Sequence, residues 1–298
     1  MASFFDEIAR NNLKSILLMV VFSLFFFFVM YFFVQFFGGG PGSLLIGAII
    51  IIAYAAFTYF AGSKVVLAVS RAQPADKKQY PVLYDAVEGL AAASQIPMPA
   101  VYIINDPNPN AFATGRDKKH ASVAVTTGLL SIMNKNELQG VIAHEMSHIY
   151  DNDIQFMMLA IVFAGAIGLL AGVVRNMLFF GFGGNNRNGN GYVLIIALIL
   201  SIIAPIFALL IRLAISRGRE YMADANGARI TRSPQSLASA LTKIKGYGAK
   251  PNAPPVKHAN ELTAPSYFSN PLSANSVVNL FSTHPPIDER IKRLKAMY

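Results

Sequence analysis

The chain has no cysteine, which excludes disulfide staples, thiolate metal ligands and a cysteine nucleophile together, and agrees with a reducing compartment. Charge is also scarce: Asp, Glu, Lys and Arg make up 14% of the 298 residues, against roughly 25% in soluble domains. Set beside 54% hydrophobic residues, that shortage points to a membrane protein. No G-x-S-x-G elbow, Walker loop or dinucleotide-binding fingerprint occurs, so nothing speaks for a rival chemistry on those patterns. No internal repeat is present. The formal net charge of +9 comes without a basic recognition helix or an aromatic–basic ladder. It therefore fits attraction to the anionic lipid of a bilayer, with no nucleic-acid partner.

From Ser15 to Ser63 there is no charged residue, and Gly38-Gly39-Gly40-Pro41-Gly42 interrupts the run. Two spans follow, about Ser15–Phe37 and Leu44–Gly62, each near the roughly 20 residues that cross a bilayer. A cleaved signal peptide is the competing reading, but the first apolar run is too long for a signal core and a second run follows it. Ile154–Val174 and Tyr192–Ile211, the latter carrying Pro205, read as two further spans joined by a Gly- and Asn-rich loop, Arg175–Gly191. A buried hairpin of a soluble protein is the alternative for this pair. With four spans, Arg10, Lys14, Lys64, Arg71, Lys77, Lys78, Arg212, Arg217 and Arg219 share one side, and the other side has only Arg175 and Arg187. The basic side is the cytoplasmic one, so both termini are predicted there.

His144-Glu145-Met146-Ser147-His148 is the sequence of a zinc site on a helix. Positions four apart share a face, so both imidazoles can meet one ion while Glu145 stands beside it to activate water. Val141, Ile142 and Ala143 precede the motif, and Asn136-Glu137-Leu138 supplies an N-cap and an acidic first turn. A hydrolytic zinc takes three protein ligands and keeps one position open. The candidate third ligand is Glu220 in Ser216-Arg217-Gly218-Arg219-Glu220-Tyr221-Met222-Ala223-Asp224. Asp224, one turn on, is placed to accept the free ring N–H of a ligating histidine. An exposed charged turn after a membrane helix is the plain alternative. Topology favours the ligand reading, because the chain crosses the membrane twice between His148 and Glu220 and returns to the side it left. Only five residues separate His148 from the third span, which puts the metal within roughly 10 Å of the membrane surface. Gly218, inside the ligand-bearing helix, costs roughly 1 kcal/mol of propensity and predicts a bend there.

Elsewhere the pattern predicts a helix at Pro81–Ala93, strands near Val101–Ile104 and Ser122–Thr126, and a helix at Ile287–Met297. Lys250–Ser282, rich in Pro, Asn and Ser, reads as a flap over the cleft. Ala121–Thr126 alternates small or polar with apolar residues, as a strand with one buried face does. The domain reading is a membrane hairpin (1–63), the first part of a catalytic unit (64–153), a second hairpin (154–211) and the rest of the catalytic unit (212–298).

These segments, in this order and over nearly the whole length, resemble the HtpX-type membrane zinc metalloproteases, a family related to the CAAX prenyl endopeptidases. The resemblance extends to Asn110-Ala111-Phe112-Ala113-Thr114-Gly115, which looks like that family's NAF motif, and to Thr283-His284-Pro285-Pro286. It implies a mainly α multi-pass membrane protein with an α+β zincin-like cytoplasmic domain. One zinc ion would be held by His144, His148 and Glu220, with Glu145 as general base and Asp224 behind a ligand. Asn110, Ala111 and Phe112 would serve substrate binding, preceding an edge strand, Ser122–Thr126, on which an extended substrate pairs. Read alone, Asn110 is a turn residue of Asn105-Asp106-Pro107-Asn108-Pro109-Asn110. His284 would approach the metal site as a transition-state stabiliser; a histidine capping its Pro-fixed turn is the alternative. His120 and His258 read as solvated. The implied role is quality control in the bacterial cytoplasmic membrane, cutting misfolded or damaged membrane proteins alongside other quality-control proteases. A prenyl-protein endopeptidase is the second enzymatic reading, against which the shorter chain and four spans speak. A zinc-stabilised scaffold is the third, and the open coordination position with an intact Glu145 speaks against that.

Overall fold

The computed structural model describes residues 41–180, 217–248 and 285–297, with part of 13–31. The predicted fourth span, the Lys250–Ser282 flap, His258 and His284 lie outside the described residues.

Two apolar helices come first, α1 (Met19–Phe28) and α2 (Pro41–Val69). Among the described residues, Ala48–Val69 is the one helical stretch long and apolar enough to cross a membrane, by length and composition. The predicted Leu44–Gly62 falls wholly within α2, which continues past Ser63 and Lys64 to Val69. Ile49, Ile50, Ile52, Phe57 and Phe60 are all exposed on it, as on a helix whose outer face meets lipid rather than protein. The third predicted span falls in α6 (Asp153–Phe180). Its end is a correction: Arg175–Phe180 is helical rather than loop, since Arg, Met and Leu are good helix formers and no glycine occurs before Gly181.

Between these helices lies a four-stranded sheet of β1 (Gln73–Pro74), β2 (Ala100–Ile104), β3 (Ala111–Gly115) and β4 (Ala121–Thr126), in the order β1-β2-β4-β3. β1 is antiparallel to β2, β2 is parallel to β4, and β3 is antiparallel to β4. The sheet separates two cores. Val101, Ile103, Ala111, Ala113, Val123 and Val125 face α3 (Pro81–Ser94) and the motif helix α5 (Lys135–Tyr150). Ile104, Phe112 and Ala124 face a second cluster built on Phe22 and Phe25 of α1, Val66 and Leu67 of α2, and Phe156, Leu159 and Phe163 of α6.

Two expectations fail here for one reason. Ala121–Thr126 is buried along its whole length, on both faces rather than one. It is also a central strand, not an edge strand, since β2 and β3 flank it. The small Ser122 and Ala124, which suited a solvent face, lie on the face that packs toward the apolar helices.

The remaining helices are the short α4 (Thr127–Ile132), then α7 (Arg217–Thr231), α8 (Pro234–Gly248) and α9 (Ile287–Lys295), which pack around α5. α5 starts two residues earlier than Asn136 would allow, because Asn134 is the cap. Its side chain accepts from Glu137 N–H at 2.9 Å, and Glu137 reaches back to accept from Asn134 N–H at 2.8 Å, a reciprocal capping box. The same carboxylate, 3% exposed, accepts from Lys243 Nζ at 2.6 Å and Ser239 Oγ at 2.7 Å, pinning α8 to the start of α5. Glu137→Ala is therefore expected to destabilise the protein by about 2–3 kcal/mol, read as thermal unfolding in detergent. Burial raises the Glu137 pKa, but the bonds from Lys243, Asn134 and Ser239 outweigh it and hold it below its ordinary 4.5. The stability it contributes is thus present above 4.5 and lost as pH falls through the lower value set by the fold. The gap between wild type and variant should close in acid.

Candidate metal centre

α5 carries His144, Glu145 and His148, and α7 lies against it with Glu220 in its first turn. Gly218 lies two residues before Glu220 in the same helical stretch, which runs unbroken from Arg217 through both positions. The two helices approach closely because of Gly227. A Cβ there would lie 3.1 Å from the backbone N of His144 and 3.3 Å from its Cα, tighter than packed side chains tolerate. Gly227→Val is expected to lever α7 off α5, at about 1–3 kcal/mol of overpacking. Its signature would be weakened metal retention against a chelating dye in a protein that still folds.

One ligand atom from each of His144, His148 and Glu220 lies within 4.8 Å of the others. The imidazole Nε2 atoms are 3.3 Å apart, and each is 3.6 Å from a Glu220 oxygen. Two nitrogens bound at about 2.0–2.1 Å to a tetrahedral ion would stand about 3.3–3.4 Å apart, so the histidine pair fits a zinc-sized cation. All three residues are buried.

The far side of each imidazole is held by a carboxylate, and each carboxylate by an arginine. His144 Nδ1 lies 3.0 Å from Asp224 Oδ1, and Arg290 of α9 grips Asp224 with Nε at 2.9 Å and Nη2 at 2.6 Å. His148 Nδ1 lies 3.1 Å from Asp153 Oδ2, and Arg219 Nη1 donates to Asp153 Oδ1 at 3.3 Å. With Nδ1–H donated to a carboxylate, each Nε2 turns its lone pair toward the shared point. Asp153, Arg219 and Arg290 were not identified from the sequence. Asp153 reads as the border of a span and Arg219 as a topology charge. Arg290 sits among Asp288, Glu289, Lys292 and Arg293 on a helix that looks solvated.

The electrostatics of the centre favour a cation. Burial works against protonating His148, but the Asp153 hydrogen bond and the charges of Glu220, Asp153 and Glu145 outweigh it and raise its pKa to about 9. His144 is likewise raised: burial and Arg290 oppose its proton, and Asp224 and Glu220 prevail. Burial acts to raise Asp224, yet the Arg290 guanidinium and His144 hold it down to about 2. Two buried imidazoles whose pKa values are pushed upward mark a place built for positive charge, and two nitrogens with a carboxylate are donors that suit a divalent metal.

The other predicted site residues fall on or beside β3. Asn110 is 4% exposed; its Oδ1 accepts from Ala111 N–H at 3.0 Å and its own N–H donates to Thr126 Oγ1 at 2.8 Å. Ala111 and Phe112 are buried strand residues. Among the described residues no strand pairs with the outer side of β3, so the edge expected at Ser122–Thr126 belongs to the NAF-like segment itself. Thr126 N–H bonds to Asn110 O; by antiparallel alternation Phe112 and Thr114 also turn their backbone toward β4, and Ala113 turns its N–H and C=O outward. His120 is half-exposed beside Asp117, as a solvated histidine should be.

Comparison with known proteins agrees with this geometry. The model of peptidase family M48 matches residues 77–298. The chain is 50% identical over 255 residues to a protease HtpX homolog of Caldanaerobacter subterraneus subsp. tengcongensis, covering 84% of this chain and 83% of that one. It is 43% identical over 302 aligned positions to a protease HtpX homolog of Streptococcus thermophilus, covering 98% and 99%. Among solved structures, S. mikatae Ste24p shares the fold with a TM-score of 0.50 at 16% identity, over 96% of this chain and 66% of that one. A family model covering most of the chain and close relatives matched along their length lead to one conclusion: this chain belongs to peptidase family M48, and it is a metalloprotease.

Proposed function

We propose that the chain is a zinc endopeptidase of the bacterial cytoplasmic membrane that cuts unfolded or damaged membrane proteins at the cytoplasmic face. The observation that carries this reading is the convergence of His144, His148 and Glu220 next to Glu145, on a helix packed against an edge strand. The membrane part rests on α2 and its exposed apolar face. α1, α2 and α6 sharing one cluster supports two membrane hairpins (1–63 and 154–211) joined by a catalytic unit in two parts (64–153 and 212–298).

His144, His148 and Glu220 would hold the zinc, which when bound would supply a Lewis acid that brings the pKa of water toward neutrality and polarises a carbonyl. Glu145 takes the proton of the attacking water and later delivers it to the leaving amine. Asp224 and Asp153 fix the histidine tautomers; Arg290 keeps Asp224 charged, and Arg219 holds Asp153 in place by its hydrogen bond. An extended substrate pairs with β3 through the Ala113 N–H and C=O, with Asn110 locking the start of the strand. The backbone supplies most of this contact, so the selection is for unfolded chain rather than for one sequence. His284 precedes Pro285 in the sequence, and on the resemblance carried by Thr283-His284-Pro285-Pro286 we assign it to oxyanion stabilisation.

The test is cleavage of a denatured model protein by detergent-purified enzyme, with chelator and zinc add-back. Activity lost with chelator and restored by zinc supports the reading. Folded, metal-loaded protein that cleaves nothing would favour the scaffold.

A further inference from the structure

The β3–β4 hairpin ends in Arg116-Asp117-Lys118-Lys119-His120, which the catalytic reading leaves without a task. Arg116 sets its guanidinium 5.2 Å from the ring centre of Phe60 on α2. Phe60 is 61% exposed, on the apolar face that would meet lipid. Lys64 lies one turn further along the same side of α2 and is exposed. A cation over a lipid-facing aromatic ring, beside the first lysine after a long uncharged run, marks the level at which acyl chains give way to headgroups.

The tip is also preorganised. Asp117 accepts from the backbone N–H groups of Lys119 and His120, both at 2.8 Å, and contacts His120 Nδ1 and Arg116 Nε. Lys118 lies 4.6 Å over the Tyr150 ring, at the end of the motif helix. Lys119 is exposed and, like Lys64, makes no ion pair among the described residues. One carboxylate thus stands against several cations on a tip continuous with an apolar helix face.

We propose that this hairpin tip seats on the phosphates of anionic lipid headgroups through Arg116, Lys119 and the adjacent Lys64. The contact fixes the height of β3 and, through Lys118 and Tyr150, of the motif helix above the bilayer. A segment drawn out of the membrane then meets the edge strand at the headgroup level. The proposal rests on the membrane reading above, and its test separates the two.

The chain has no tryptophan, so His120→Trp makes a single emitter at the tip and Phe57→Trp one on the span. Each full-length variant goes into nanodiscs of lipids brominated near the top of the acyl chain, either zwitterionic or containing phosphatidylglycerol. Each basic group near an anionic surface contributes a factor of about five in local occupancy. Quenching of the tip emitter should therefore at least roughly double in the anionic bilayer. It should return to the zwitterionic level when Arg116→Gln and Lys119→Gln are added, with circular dichroism unchanged. An unquenched tip beside a quenched Phe57→Trp overturns the proposal and leaves the membrane reading standing. Equal tip quenching in both bilayers, unmoved by the two substitutions, overturns the headgroup assignment. An unquenched Phe57→Trp overturns both.

Discussion

Glu145→Ala enzyme is expected to keep its metal and to cleave a denatured substrate at least about 100-fold more slowly than wild type, within the roughly 10²–10⁴ that a positioned general acid–base contributes. Glu145 is buried at 3% exposure but is not among the residues whose ligand atoms converge. Alanine is the best helix former, so α5 and its capping box stay intact. Glu145→Gln should behave alike, because an amide preserves the shape and cannot take a proton. The contrast is Glu220→Ala, which removes one of three ligand atoms and should let the metal go. Metal content after dialysis against a chelator, measured beside the rate, separates the two variants. Equal metal loss in both would overturn the assigned roles, and a Glu145→Ala enzyme of near wild-type rate would remove general-base catalysis by that residue.

What the sequence made legible was whatever is encoded locally. The motif helix, the helix at Pro81 and the one-turn spacing of Glu220 and Asp224 follow from spacing along one helix, whereas the return of α7 to α5 was expected from a four-span topology whose fourth span lies outside the described residues. The misses come from contacts made across a turn or between helices far apart in the chain. Asp153 looks like the polar border of an apolar run, and only the fold brings its carboxylate to His148 Nδ1. Arg290 lies on a helix whose neighbours are charged, and its burial at 1% exposure is invisible until α9 is docked. β3 was hidden by the turn residues before it and by its small side chains, and the crossover that puts β4 in the centre of the sheet has no local signal. Asn134 was legible in principle, since Asn-x-x-Glu before an apolar run is a capping-box pattern, but Asn136 stood closer to the run.

Arg290→Leu should destabilise the protein by about 3–5 kcal/mol, because it strips a buried carboxylate of its partner rather than merely deleting a contact. Arg290 and Asp224 are 1% and 2% exposed and joined by two hydrogen bonds. With the guanidinium gone, burial is opposed by His144 alone, and the pKa of Asp224 must rise from about 2. A protonated Asp224 can offer His144 Nδ1 a donor where an acceptor is needed, so the tautomer is lost and metal affinity should fall about 10–100-fold. Arg290→Lys restores charge but not the two-pronged grip, and should recover only part of both effects. The decisive measurement is a double-mutant cycle in detergent, with thermal unfolding and metal affinity read on Arg290→Leu, Asp224→Leu and the pair together. If the pair is one buried unit, the double variant regains stability over Arg290→Leu because no unpaired charge is left inside. It still binds metal weakly, because nothing then orients His144. Strict additivity in stability would mean that Arg290 and Asp224 act independently, and it would remove the arginine from the chain of contacts that leads to the metal.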